Sequence, residues 1–150
     1  MDWSRHHPVA KDRFGLSTLA HVSGVDAPTI QRWIHRKAIR EQKIGSGRDR
    51  SYTIWQAIHF AIIAEMSRLG LSITGKGADL SLALLGYVRH RAARDGDLSD
   101  VGAVSLTLVP DTDDWGIRPA EWVLTGESCI TIGLGLITAR VVERYQAETP

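Results

Sequence analysis

Cysteine is nearly absent from this chain, with Cys129 the single example in 150 residues. That scarcity excludes an internal disulfide framework and any zinc site built from several cysteines. Cys129 stands beside Ile130 and Ile132, where a small buried hydrophobe is the expected role. Long apolar runs are also missing. Nothing approaches the ~20 residues needed to cross a bilayer, and the opening MDWSRHHPVAKDR lacks the apolar centre of a signal peptide, so a cytoplasmic protein with no membrane partner is expected. Repeats and low-complexity tracts are absent. The six histidines, at 6, 7, 21, 35, 59 and 90, form no helix-spaced pair and have no acid at a zinc-protease spacing. No nucleophile, base and orienting acid can be assembled. The expectation is therefore a non-enzyme with no metal and no cofactor.

What is present begins with a charge asymmetry hidden inside a net charge of +1. Residues 1–76 carry 12 Lys/Arg against 6 Asp/Glu, and residues 77–150 carry 6 against 11. The basic half suits a polyanion such as nucleic acid, and the acidic half would be repelled by one.

Periodicity divides the chain further. Residues 1–13 are polar, contain Pro8 and read as a loosely held arm. Leu16, Leu19 and Ala20 share a helical face that ends at Ser23 and Gly24. Asp26 stands at the N-cap position before Ala27, Pro28 and Thr29, which predicts a second short helix to about Arg36. REQKIGSGRDRSYTI, with glycines at its centre, reads as two short strands and a loop. Trp55 to Leu69 is helical, and its apolar positions spread so widely that the helix is either central to the core or part of a subunit interface. GLSITGKG, residues 70–77, marks the expected boundary between a 14–75 unit and a 76–150 unit. The second unit should be a small α+β domain: a helix over 79–94, strands at about 103–109, 121–125 and 129–132, and a closing helix over 134–146. Its expected role is dimerisation or regulation.

Three stretches imitate chemistry. GLSITGKG approaches a phosphate-binding loop, but Gly77 stands where a magnesium-binding hydroxyl is required and a helix precedes it. GLGLIT, residues 133–138, has Thr138 in place of the third glycine of a dinucleotide fingerprint, with too little chain after it. DTDDWG, residues 111–116, would put Trp115 and Trp122 at calcium-ligand positions. Each reads instead as a turn, a helix start or a solvated loop.

The remaining constellation is the pair of short helices around Gly24, a helix-turn-helix whose second member would enter the major groove. Ile30, Trp33 and Ile34 would pack inward, leaving Gln31, Arg32, His35 and Arg36 outside. Gln pairs with adenine and Arg with guanine, while Lys37 is within reach of phosphates. Over Leu16–Leu71, FGLSTLAHVSGVDAPTIQRWIHRKAI followed by GRDRSYTIWQAIHFAIIAEMSRLGLS resembles the winged helix-turn-helix of MerR-type regulators and excisionase-type domains. The resemblance rests on the LA pair before the GV turn, Thr29-Ile30, Arg32-Trp33-Ile34, and Arg50 with Tyr52 closing the wing. It implies that Gln31, Arg32 and Arg50 grip double-stranded DNA, with Thr29 at the helix start and Arg48 on the wing. Lys37 replaces the glycine usual after the recognition helix, so that turn must differ or carry strain, and Gln56 replaces a frequent acid. Neither the long heptad helix nor the cysteine ligands of metal-sensing members are present.

These readings lead to an α+β protein, an N-terminal winged helix-turn-helix followed by the small α+β unit. Its expected function is sequence-specific transcription regulation as a nucleoid-associated homodimer, with an unidentified effector. Ile62, Met66, Leu80, Leu84, Val88, Val141, Val142 and Tyr145 are expected in the core or the dimer interface. Trp115 and Trp122 are candidates for core packing or the wall of a ligand pocket. An excisionase-like or architectural DNA-bending factor, or an adaptor that has lost DNA binding, are the alternatives.

Overall fold

IWQAIHFAIIAEMSR places apolar side chains on every side of a helix, and such a segment must be covered all round. In the computed structural model, which describes residues 12–39, 50–95, 101–108, 114–122 and 129–148, this segment is the central helix. The helices are α1 (Leu16–Ser23), α2 (Ala27–His35), α3 (Ile54–Arg68), α4 (Lys76–Asp95) and α5 (Leu134–Glu148). Between α4 and α5 run β1 (Val104–Leu108), β2 (Trp115–Pro119), a 3-10 turn over Ala120–Trp122, and β3 (Ile130–Ile132). The architecture is α+β.

Helix α3 buries Ile54, Ala57, Ile58, Phe60, Ile62, Ile63 and Met66. Helices α1, α4 and α5 all pack on it, and Trp33 of α2 stacks on Phe60 with centroids 6.4 Å apart and planes at 11°. Its start is fixed by a reciprocal cap. The Gln56 backbone N–H donates to Thr53 Oγ1 at 3.4 Å, and Gln56 Oε1 accepts from the Thr53 N–H at 2.8 Å. Gln56 thus completes a capping box, in which Gln serves as well as Glu.

Residues on both sides of 70–77 join a single buried cluster: Leu19, Ile30, Ile58 and Phe60 before it, and Leu80, Leu84 and Val88 from α4, Val104 and Leu106 from β1, and Val141 and Tyr145 from α5 after it. Val142 packs half-buried against the same cluster. The far end of the chain also fastens the near end. Tyr145 donates its hydroxyl to Asp12 Oδ2 at 2.6 Å and packs its ring 5.7 Å from that of Phe14. Phe14 in turn pairs antiparallel with Tyr52, through N–H···O bonds of 3.0 and 2.8 Å. Tyr52 is buried and anchors the chain as it returns from residues 40–49.

The sheet has the order β2-β1-β3, antiparallel throughout. Its middle strand in sequence is Trp115–Pro119, with Val104 paired to Pro119, and Ala120–Trp122 form a 3-10 turn, which corrects the expected strand at 121 and 122; residues 123–125 lie outside the described residues. Gly116 and Pro119 are poor strand formers, but β2 is an edge, where proline is tolerated, and pairing with β1 overrides propensity. Cys129 is a second correction. It is exposed, because the last β1–β3 pair is Leu106 with Ile130 and Cys129 lies beyond that register. Trp122 is a third, 66% exposed rather than packed. One glycine in each of GLSITGKG and GLGLIT is a packing contact. A Cβ on Gly77 would collide with the Ser72 carbonyl, and one on Gly135 would press on the Gly102 backbone at 3.0 Å. Among the described residues no helix is long and apolar enough to cross a membrane.

One polar pair interrupts the core. His59 is fully buried on α3. Ser81 donates its hydroxyl to the Ala78 carbonyl at 2.9 Å, leaving its oxygen to accept from His59 Nε2 at 2.9 Å. That pattern puts a proton on Nε2, and burial keeps the ring neutral. Burial lowers the His59 pKa to about 4. The folded state therefore refuses a proton that the unfolded chain accepts near its ordinary value of 6.5, and stability is lost as pH falls from about 6.5 to about 4. The loss is about 3 kcal/mol. Urea unfolding over that window should show it for the wild type, whereas His59→Gln, which retains a donor but does not titrate, should lose most of the slope.

Candidate nucleic-acid interface

Helices α1 and α2 are joined by Gly24, Val25 and Asp26. Gly24 takes the left-handed conformation at φ 73° and donates its N–H to the Ala20 carbonyl at 3.0 Å. The Ser23 hydroxyl accepts from the Val25 N–H at 3.3 Å. Asp26 then caps α2 as the sequence predicts, its Oδ1 accepting the Thr29 N–H at 3.0 Å.

The amphipathic division of α2 decides what it presents. Ile30 and Trp33 are buried and Ile34 packs half-buried, while Gln31, Arg32, His35, Arg36 and Lys37 are all exposed. Arg32 is not left to rotate freely, because its Nη2 donates to Thr29 Oγ1 at 2.9 Å. Side chains on a helix lean toward its N-terminus, so this bond holds the guanidinium over the first turn. Thr29, itself half-buried, also bonds to Asp26 through its side chain and then its backbone, and these bonds hold the Asp26 carboxyl below the usual carboxylate range. Asp26, Thr29 and Arg32 form a hydrogen-bonded relay along one helix turn. In that relay Thr29 positions Arg32.

The end of α2 answers the question that Lys37 raised. Arg36 is the C-cap, the Lys37 N–H donates to Ile34 at 3.1 Å, and the Ala38 N–H donates to Trp33 at 3.0 Å. This is a complete Schellman closure. It requires a left-handed residue after the cap, and Lys37 supplies it at φ 57°, alone among the described non-glycine residues. Helix α3 ends in the same closure with glycine in that place. Gly70, at φ 77°, donates to Ser67 at 3.0 Å, and the Leu71 N–H donates to Met66 at 2.9 Å. The turn has therefore not been rebuilt around the lysine. It accepts a cost of about 1 kcal/mol to carry an ammonium beside Arg36 and His35, where the negative end of the helix dipole favours cations.

The two strands and the loop expected around GSGRDRSY, with Arg48, lie outside the described residues over 40–49. Arg50 emerges from that stretch exposed. Ile62, Met66, Leu80, Leu84, Val88, Val141 and Tyr145 are buried within the chain's own core. Trp115 lines a cleft of about 240 Å³ with Lys76, Asp79, Leu80, Ala83, Asp114 and Ile117; Trp122 does not take part. Among the described residues no three His, Cys, Asp or Glu side chains gather as a metal site would require. The Thr29–Arg32 tether was missed in the sequence, although its i, i+3 spacing on a predicted helix was the available signal. No protein-family model matches the chain, and no match is found among curated proteins.

The two equivalent helix ends provide an internal control. Gly70→Ala should lower the unfolding free energy by about 1 kcal/mol. Lys37→Gly should raise it, by up to about 1 kcal/mol after the added flexibility of the unfolded chain is subtracted. Denaturant midpoints for the two variants would then move in opposite directions.

Proposed function

We propose that this chain is a sequence-specific DNA-binding regulator, with α1 and α2 forming the helix-turn-helix of a winged head and α2 lying in the major groove. The observation that carries the reading is the exposed face of α2, with Gln31, a tethered Arg32, His35, Arg36 and Lys37 on a helix clamped to the core by Ile30 and Trp33. A guanidinium held in place loses less freedom on forming a bidentate contact to guanine. Lys37 adds to this support, because a lysine kept where the backbone favours glycine has a use for its charge. Arg50, and Arg48 on the wing, would grip phosphates beside the groove. The basic half would then meet the DNA, with the acidic half directed away from it.

The reading extends to a homodimer on two half-sites about one helical turn apart, ~34 Å. Of the residues expected in the core or the dimer interface, Ile62, Met66, Leu80, Leu84, Val88, Val141 and Tyr145 lie in the chain's own core. A second copy would instead use large apolar side chains left outside, of which Trp122 and Leu136 are the examples among the described residues.

Duplexes selected from a random pool at stated salt give the test. Arg32→Ala should weaken the selected duplex by about 1–3 kcal/mol and relax preference at one position. Thr29→Val should weaken it less while leaving the salt slope unchanged, since no phosphate contact is removed. Arg50→Ala should flatten the slope by roughly one unit. Affinity unaltered by both arginine substitutions would refute the assignment, and complete absence of salt-sensitive binding would leave the adaptor alternative. Sedimentation of Trp122→Ser and Leu136→Ser tests the dimer, each being expected to shift the protein toward monomer.

A further inference from the structure

A cleft of about 220 Å³ opens where the end of α1 meets α3 and α5. Its floor is apolar and small, formed by Ala61 and Ala64 of α3 with Ile137 and Val141 of α5, and its rim carries Glu65, Arg68, Arg140 and Arg144. Three guanidiniums thus face one carboxylate, and that carboxylate is already engaged. Arg68 donates Nε and Nη2 to the two Glu65 oxygens at 2.9 and 2.6 Å. This fork, more than the surrounding charge of Arg68 and Arg140, holds the Glu65 carboxyl below its usual range.

Arg140 and Arg144 stand one turn apart on α5, a spacing at which like charges repel and destabilise a helix. Among the described residues neither is paired with a carboxylate. The cleft thus carries three cations against one carboxylate, an excess that a bound anion would offset. Two guanidiniums above an apolar floor suit a group that accepts forked hydrogen bonds at one end and has nothing to hydrate at the other.

We propose that this cleft binds a small organic anion, a carboxylate or phosphate group carried on an apolar body, with Arg140 and Arg144 on the acidic group and Ala61, Ala64, Ile137 and Val141 around the body. The cleft also touches the turn that holds α2. Ser23 and Gly24 form part of its wall, and a Cβ added to Gly24 would collide with Arg144 Nη1. An anion that draws Arg144 inward changes the surroundings of Gly24 directly. Binding does not rest on the DNA reading; in a DNA-binding chain the cleft would serve as the effector site.

The test uses the whole chain without DNA. Phenyl phosphate, benzoate, neutral benzamide and inorganic phosphate are titrated calorimetrically, with backbone amide spectra recorded in parallel. At least one of the two organic anions should bind saturably and more weakly as salt rises, and the stronger of them identifies the acidic group. Gly24 and Val25 amide resonances should shift. Benzamide should fail to bind, and inorganic phosphate should bind at least roughly ten-fold more weakly than the better organic anion. Arg140→Gln with Arg144→Gln should lower affinity at least roughly ten-fold without lowering the melting temperature. Ala64→Leu, which fills the floor but keeps the charges, should lower it too. No saturable binding by either organic anion, undiminished binding in the double variant, or equal binding of inorganic phosphate would overturn the proposal.

Discussion

Helix α3 must hide most of its circumference from water, and the rest of the molecule is arranged to satisfy that constraint. Its buried residues run from Ile54 to Met66, and the side bearing Ala61, Ala64, Glu65 and Arg68 opens onto a cleft. At about 25 cal/mol for each Å² of apolar surface, leaving one face open would sacrifice a large part of a net stability of only ~5–15 kcal/mol. Helices α1, α4 and α5 each cover part of it. Helices α4 and α5 are therefore structural complements of α3, and Tyr145 of α5 ties back as far as Asp12.

The candidate interface inherits its order from that packing. Trp33 on Phe60 and the buried Ile30 leave α2 one orientation in which its apolar side is satisfied, and the polar side is presented as a consequence. Local chemistry then refines what packing has fixed. Asp26 satisfies the free amide of Thr29, Thr29 restrains Arg32, and the Schellman closure turns the chain at Lys37. A left-handed lysine is a local departure from backbone preference that the surrounding fold sustains. Gly70, in the same closure elsewhere in the chain, shows what the position would hold if backbone preference alone decided it.

Charge is distributed by the same logic at a larger scale. The basic and acidic halves of the sequence both contribute residues to one buried cluster. Within the acidic half, α5 nevertheless brings Arg140 and Arg144 to Arg68 of α3. The resulting basic cleft adjoins the turn between α1 and α2, on the same helices that support the candidate interface.

The sequence by itself determined the elements whose signals are local. The Asp26 cap, the Gly24 turn, the apolar girth of α3 and the division of α2 into buried and exposed faces all follow from spacing within a few residues. The α+β class followed too, because helical and strand-like periodicities occupy separate stretches. Tertiary structure decided whatever depends on a partner distant in the chain. Trp115–Pro119 became a strand because β1 was there to pair with it, against the preferences of Gly116 and Pro119. Cys129 stayed outside because the β1–β3 register ended one residue later. Ile62, Met66, Leu80, Leu84, Val88, Val141 and Tyr145 read as apolar in one dimension, but only the folded chain could assign them to its own core. Arg68 lies more than seventy residues from Arg140 and Arg144 in sequence, and no local rule connects it to them. Local hydrogen bonding and periodicity are written into adjacent residues, whereas burial, register and the meeting of distant charges exist only once α3 has been enclosed.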